Sequence, residues 1–385
     1  MKELQNIIAT SKQLKKETAA LATLVKVEGS TYRSPGARML VTSNGKQIGS
    51  LSGGCLEGDV IERSQQVMAT GKPLLVTYDT TSEDDLIWGL GLGCQGVAHI
   101  LIEPLNLNEP NALNVIDRCL SQRKFGGVAT VFKVKGENEV KLGDRLLLFP
   151  DGKMSDNKLA AIVSEDLKSA ITQKRSQNIS YSLPAGTVEV FLEVIQPPIS
   201  LTIFGAGFDV LPVVHFAREL GWYVTVVDPK MRSQSQQRFA EADVVVLCPP
   251  HEVATRLKFD EQSVAVIMTH NYLYDLELLP ILLTKSLNYL GILGPKTRTN
   301  RLFTDLQTDA FLAKPEWLKN LYSPVGLDIG ADNPEEIALS IIAEIRATTQ
   351  NRQGGFLKNR NGSIHTVTNM PLKNEITNRN YLTLI

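Results

Sequence analysis

The chain has 385 residues, 43% of them hydrophobic and 21% charged, with a formal net charge of -1. At about 150 residues per domain this length predicts two or three domains, and the near-neutral charge excludes a broad basic face for nucleic acid or an acidic disordered tail. No run nears the roughly 20 apolar residues of a membrane span, no signal-peptide run is seen, and the four cysteines lack the paired spacings of zinc sites or a disulfide framework, so a soluble cytoplasmic protein is expected.

Residues 1–18 read as a polar, Lys-rich helix. An apolar strand is predicted over 20–27, turn chemistry over 28–36, and a hairpin of strands 39–42 and 47–50. Asn44-Gly45 lies between those two strands and suits a type I′ turn, which needs positive φ at both central positions. Helical spacing of Val60, Ile61, Val67 and Met68 predicts a helix over 56–69 with Gly71 as its C-cap. Strands follow at 74–78 and 97–103, separated by a glycine-rich loop at 88–96. Extended runs at 128–134, 145–149 and 188–195 complete an α+β first domain over 1–196. No internal repeat is expected.

Pro197-Pro198 breaks both helix and sheet ladders and reads as a hinge. Beyond it, short apolar strands at 201–204, 223–227, 244–248, 264–268 and 289–293 alternate with helices. That pattern predicts a Rossmann-type, doubly wound parallel sheet over 199–349. Asn333, Pro334 and Glu335-Glu336 announce its last helix. A polar tail is expected over 350–385.

Two turns attract chemistry. In the first domain, Gly53-Gly54-Cys55-Leu56-Glu57 places a thiol at an expected helix start, where unpaired amides stabilise a thiolate. The glycine loops at 29–36 and 88–96, the second carrying Cys94, suggest a site contacted through backbone groups. Arg33 and Arg38 are candidates to neutralise an anionic ligand.

In the second domain, Gly205-Ala206-Gly207 follows a strand, and Asp228 ends the next strand 23 positions on (228 − 205). In a dinucleotide fold the glycines let the backbone approach a phosphate, and the distal acid bonds a ribose hydroxyl. Here Val210 stands at the third glycine position, and Asp209 puts negative charge where a pyrophosphate would sit. His270, after the fourth strand, and Lys296, Arg298 and Arg301, after the fifth, are further candidates at the carboxyl edge of the sheet.

Taken together, the motifs EGSTYRSPGAR (28–38), GSLSGGCLE (49–57), GLGCQG (91–96), GAGFDVLP (205–212), YLGILGPKTR (289–298) and SPVGLDIGADNPEEIALSIIAEIRA (323–347) resemble the XdhC/CoxI family of xanthine dehydrogenase accessory factors. The resemblance implies an XdhC-type N-terminal domain joined to a Rossmann domain, usually as a homodimer. It implies a chaperone more than a metabolic enzyme, and leaves catalytic residues unassigned. Such a factor binds molybdenum cofactor, protects it during sulfuration and passes it to an apo molybdenum hydroxylase, with a cysteine desulfurase as partner and no nucleic acid or membrane involved.

The family's cofactor-binding cysteine falls on Cys55, which would face the molybdenum. Gly53, Gly54, Glu57, Arg33, Arg38 and Cys94 are candidate cofactor contacts in the first domain. Gly205, Gly207, Asp228, His270, Lys296 and Arg298 are candidates for a nucleotide in the second. Asn271 follows His270 where many relatives carry an acid, which departs from the family pattern. Two competing readings are an NAD(P)-dependent oxidoreductase, resting on Gly205, Gly207 and Asp228, and a docking protein that grips the client enzyme without cofactor.

Overall fold

The computed structural model describes residues 1–14, 17–81, 96–155, 158–228, 233–306, 318–359 and 372–373. The chain divides into two units, Glu3–Pro197 with Arg360–Ile385, and Pro198–Asn359 with Met1–Lys2.

The first unit begins with helix α1 (Lys2–Ser11), shorter than the 18 residues expected from composition. A five-stranded antiparallel sheet follows, from β1 (Ala19–Gly29), β2 (Arg38–Thr42), β3 (Gln47–Gly49), β4 (Leu74–Asp79) and β5 (Gly96–Pro104), in the order β3-β2-β1-β5-β4. Helix α2 (Glu57–Thr70) covers one face and ends where Gly71 takes a left-handed φ of 68° and donates to the Val67 carbonyl. Ala20, Ala22, Leu24 and Met39 pack against Val60 and Val67 of that helix.

Helix α3 (Ala112–Gln122) is absent from the sequence expectations, although Asn111 caps it: its side chain accepts from the Leu113 amide at 3.0 Å while Asn114 reaches back to the Asn111 amide. Beyond it lie β6 (Gly126–Gly136), β7 (Arg145–Leu148), α4 (Ala160–Thr172), β8 (Gln177–Leu183) and β9 (Gly186–Ile195). The sequence pattern shows only strands in this stretch. Helix α4 has β-branched Ile162, Val163 and Ile171, and its N-cap Leu159 makes no side-chain bond, so local signals for it are weak.

The structure corrects the expectation that no repeat exists. The second set of elements repeats the first, with β2-β1-β5-β4 matched by β7-β6-β9-β8. Ala22-Thr23, Lys26-Val27, Gly29, Gly36, Arg38 and Gly45-Lys46 recur 107 positions on (129 − 22) as Ala129-Thr130, Lys133-Val134, Gly136, Gly143, Arg145 and Gly152-Lys153. Even the irregularity recurs: the register slips at Val25 between β1 and β5, and at Phe132 between β6 and β9. Those bulged residues meet Leu101 and Phe191 in one small core. Two crossed ion pairs accompany it. Arg38 of the first repeat grips Glu193 on β9, and Arg145 of the second grips Glu103 on β5.

The hairpin also differs in detail. Gly45 has a φ of 79° while Asn44 stays at negative φ. The Gly45 amide donates to the Thr42 carbonyl at 2.9 Å and the Thr42 amide to the Lys46 carbonyl. The connection is therefore a three-residue loop ending in a left-handed glycine, not a type I′ turn.

The second unit has the Rossmann architecture. Strands β10 (Ser200–Phe204), β11 (Tyr223–Asp228), β12 (Val244–Leu247), β13 (Ser263–Ile267), β14 (Tyr289–Ile292) and the two-residue β15 (Leu321–Tyr322) form a parallel sheet in the order β12-β11-β10-β13-β14-β15. Helices α5 (Val210–Glu219), α6 (Ser233–Arg238), α7 (Val253–Arg256), α8 (Tyr272–Leu283), α9 (Lys296–Asp305) and α10 (Pro334–Thr349) connect and flank them. One apolar core joins the sheet to α5 and α10, another joins it to α8 and α9. Burial on both faces explains the continuous apolar strands. Asn333 caps α10 by accepting from the Glu336 amide. A short strand β16 (Leu372–Lys373) adds to β8 in the first unit. No described helix is long and apolar enough to cross a membrane.

Candidate functional site

The loop between β3 and α2 is built around one carboxylate. Glu57 Oε1 accepts from Ser50 Oγ at 2.8 Å, the Leu51 amide at 3.0 Å and the Ser52 amide at 2.9 Å. Its Oε2 accepts from Ser52 Oγ, the Gly54 amide at 2.9 Å and the Leu56 amide at 3.2 Å. The residue is only 6% exposed. Burial pushes its carboxyl up, but hydrogen bonds from Ser52, Ser50 and the Leu51 amide outweigh this and hold it at about 2. The loop needs glycine at Gly53, where φ is +83° and a Cβ would lie 3.0 Å from the Tyr32 ring.

This wrapping leaves Cys55 on the outside. Its thiol is exposed and lies 3.7 Å from the Ser52 carbonyl. It lines a shallow pocket open to solvent. Thr31, Tyr32, Ser52 and Thr80 are the polar walls, and Leu24, Leu56 and Ala98 are among the apolar ones. Thr80 and Gly96 tie two walls together, with Thr80 Oγ1 donating to the Gly96 carbonyl at 2.7 Å and accepting from its amide at 3.0 Å. Tyr78 donates to Asp59, whose other partner is Arg63 at 2.6 Å. Burial, with Asp59 beside it, pushes the Tyr78 hydroxyl well above its ordinary range.

Several sequence expectations change here. The helix begins at Glu57, two residues past Cys55, and the loop amides expected to serve the thiol serve the Glu57 carboxylate instead. Glu57 therefore faces its own loop and not the pocket. Arg38 is 3% exposed and bonded through both guanidinium nitrogens to Glu193, so it does not reach a ligand. Arg33 is half-buried and forks onto Glu3. Cys94 and the rest of its loop lie outside the described residues. Cys119 and Cys248 are buried. Among the described residues, no group of three or more His, Cys, Asp or Glu side chains could hold a metal ion.

In the second unit the glycine turn forms as expected. Gly205 has a φ of +135°, and a Cβ there would lie 2.2 Å from the Met268 carbonyl, so the backbone just past β13 approaches too closely for any side chain. Val210, at the third glycine position, is fully buried in the core beneath α5. Asp209 Oδ2 pairs with His270 Nε2 at 2.8 Å across the turn. His270 holds a left-handed φ of 52°, unusual for a residue with a Cβ. Arg238 donates to the Ala206 carbonyl and lies over the exposed Phe208 ring.

Asp228 is buried at the end of β11. Arg298 is bound to the buried Asp275 at 2.7 Å, and Thr269 donates to the same carboxylate. Burial raises the Asp275 carboxyl despite those partners. Arg298 is thus held within the fold and Arg301 lies 3.6 Å from Asp305, while Lys296 is exposed at the first position of α9. The structure gathers Gly205, Gly207, Asp209 and His270 at one edge.

Comparison with known proteins follows both units. The XdhC and CoxI family matches residues 13–79, and the XdhC Rossmann domain matches residues 201–345. A probable xanthine dehydrogenase subunit of Bacillus subtilis (strain 168) is 34% identical over 335 residues, 86% of this chain and 93% of that one. The chain belongs to the XdhC and CoxI family. It is also similar to the molybdenum cofactor insertion chaperone PaoD of Escherichia coli (strain K12), 23% identical over 327 residues, 85% of this chain and 82% of that one. A crystal structure described as a xanthine dehydrogenase from Bacillus halodurans superposes with a TM-score of 0.72 at 32% identity, covering 91% of this chain and 96% of that one.

Sequence reasoning does not single out Thr80 or the aromatic rim at Tyr32 and Tyr78. Tyr32 lies within the motif EGSTYRSPGAR and is legible in principle. Thr80 carries no signal, because only the pairing of β4 with β5 brings it beside Gly96.

Proposed function

We propose that this chain carries molybdenum cofactor as a cargo at the Cys55 pocket, shields it while its terminal sulfur ligand is installed, and passes it to an apo hydroxylase of the xanthine dehydrogenase type. The observation that carries this reading is the exposed Cys55 thiol at the mouth of a pocket with an apolar floor and a hydroxyl-bearing rim. The names of two relatives, a xanthine dehydrogenase subunit and a molybdenum cofactor insertion chaperone, support the same assignment.

The residues present suit the metal end of such a cargo. The cofactor brings a dithiolene-held molybdenum on a pterin, and a thiol is a soft neighbour for it. They do not suit its phosphate end, because Arg33 and Arg38 are already paired with Glu3 and Glu193. Neither arginine is therefore assigned to the phosphate, and the ligand of the Rossmann unit is a separate matter. A nicotinamide dinucleotide is the weaker ligand for that unit, since the Asp209 carboxylate borders the turn where a pyrophosphate would bind. A cysteine desulfurase as sulfur donor, and assembly as a homodimer, belong to this proposal too.

The test is anaerobic purification from cells that make the cofactor, with molybdenum analysis and fluorescence of the oxidised pterin. Wild type retains both. Cys55→Ala loses at least about tenfold, the factor set by roughly 1.4 kcal/mol of binding, with an unchanged circular dichroism spectrum. Equal molybdenum in the two proteins overturns the reading.

A further inference from the structure

We propose that Glu57 is the positioning residue of the candidate site: a built-in anion that shapes the 50–56 loop and presents Cys55 at the pocket mouth, and not a contact of the cargo. A carboxylate offers about four lone-pair sites on two oxygens. Here six donors converge on them, four backbone amides (Leu51, Ser52, Gly54, Leu56) and two hydroxyls (Ser50, Ser52). No acceptor capacity remains for a ligand.

Converging amides of this kind form a nest that would otherwise take an external anion. Glu57 fills it from within the chain. Gly53 and Gly54, at φ of +83° and +127°, let the loop curl around the carboxylate. Ser52 then braces the Leu56 amide through its hydroxyl at 2.9 Å, and the Ser52 carbonyl meets the Cys55 thiol. Each bond that fixes the thiol's place thus runs back to residues that Glu57 holds. Among the described residues the second repeat shows no such carboxylate: Ser164 stands 107 positions after Glu57, and Ala160 opens α4.

The effect on cargo retention rests on the proposed function, but the effect on the thiol does not. The experiment is therefore read first on the full chain without cargo, as the rate of Cys55 alkylation by iodoacetamide, mapped by peptide mass spectrometry. Glu57→Gln keeps the shape but turns one acceptor into a donor that faces other donors. Glu57→Ala opens the nest to a small carboxylate. Both variants are expected to change the Cys55 rate by about tenfold or more, the factor for one lost hydrogen bond to a charged group. Added formate should return Glu57→Ala to near the wild-type rate, while chloride at the same ionic strength should not.

Wild-type alkylation in both variants, with unchanged circular dichroism, overturns the proposal. Loss of the folded spectrum in both variants, unrestored by formate, also overturns it by making Glu57 a residue of general stability. Molybdenum content is then read on the same proteins alongside Cys55→Ala. If Cys55→Ala keeps its molybdenum while formate still rescues the Glu57→Ala thiol, the cargo reading fails and the positioning role stands.

Discussion

The two repeats of the first unit share strands, bulges and crossed ion pairs, yet differ where β3 leads into α2 and where β7 leads towards α4. The first repeat spends that junction on a loop folded round Glu57 with Cys55 outside it. In the second, Leu159 is buried and Ala160 opens the helix with no side-chain cap. The lesson is that a duplicated scaffold can keep its packing in both copies while only one copy carries candidate chemistry. The parts they share are those that hold each repeat to the other.

The largest expected effect tests that shared clamp. Arg38→Ala leaves Glu193 buried without its partner and should cost about 3–5 kcal/mol in urea unfolding. The matching Arg145→Ala should cost less, about 1.5–3 kcal/mol, because the Arg145 side chain is 23% exposed against 2% for Arg38. Equal losses would mean that the asymmetry in burial does not matter.

Next comes acid. The folded carboxyl of Glu57 lies below the ordinary 4.5, at about 2. A depressed carboxyl stabilises the fold fully above pH 4.5, and that contribution is lost as pH falls from 4.5 towards 2. With roughly 1.36 kcal/mol per unit, the difference in stability between wild type and Glu57→Gln should approach about 3 kcal/mol at neutral pH and shrink across that window. A difference that is flat from pH 6 down to about 2 would contradict the assignment of that carboxylate.

The helix ends give a smaller contrast. Gly71 closes α2 at a φ of 68°, whereas Gln173 closes α4 at -79°. Gly71→Ala should cost about 1 kcal/mol, and Gln173→Ala should stay within about 0.5 kcal/mol. Smallest of all is Cys55→Ala, an exposed side chain whose loss should shift stability by under about 0.5 kcal/mol. Its consequence is expected in molybdenum content alone, and a large drop in melting temperature would mark the thiol as structural.

Much of the fold is legible in the sequence because its signals are local. The apolar runs of β10, β11 and β13 sit on a parallel sheet buried on both faces, as their composition requires. Gly205 and Gly71 adopt the positive φ that their places in the sequence demand. Helix α4 is not legible, since it lacks a capping side chain and is rich in β-branched residues. The repeat escapes a reading of the sequence because its matches are scattered single residues and pairs, made plain only when both sheets show the same strand order.

The site divides along the same line. Sequence alone placed a cysteine beside two glycines before a helix, and a glycine turn after a strand, because both are fixed by backbone conformation over a few residues. Only the tertiary structure decided what the charged groups do. Arg38 finds its partner 155 positions away at Glu193, Asp209 finds His270 across 61 positions, and Arg298 finds Asp275 on a neighbouring helix. A charge in a sequence has no partner until the chain folds, and burial then forces it to take one.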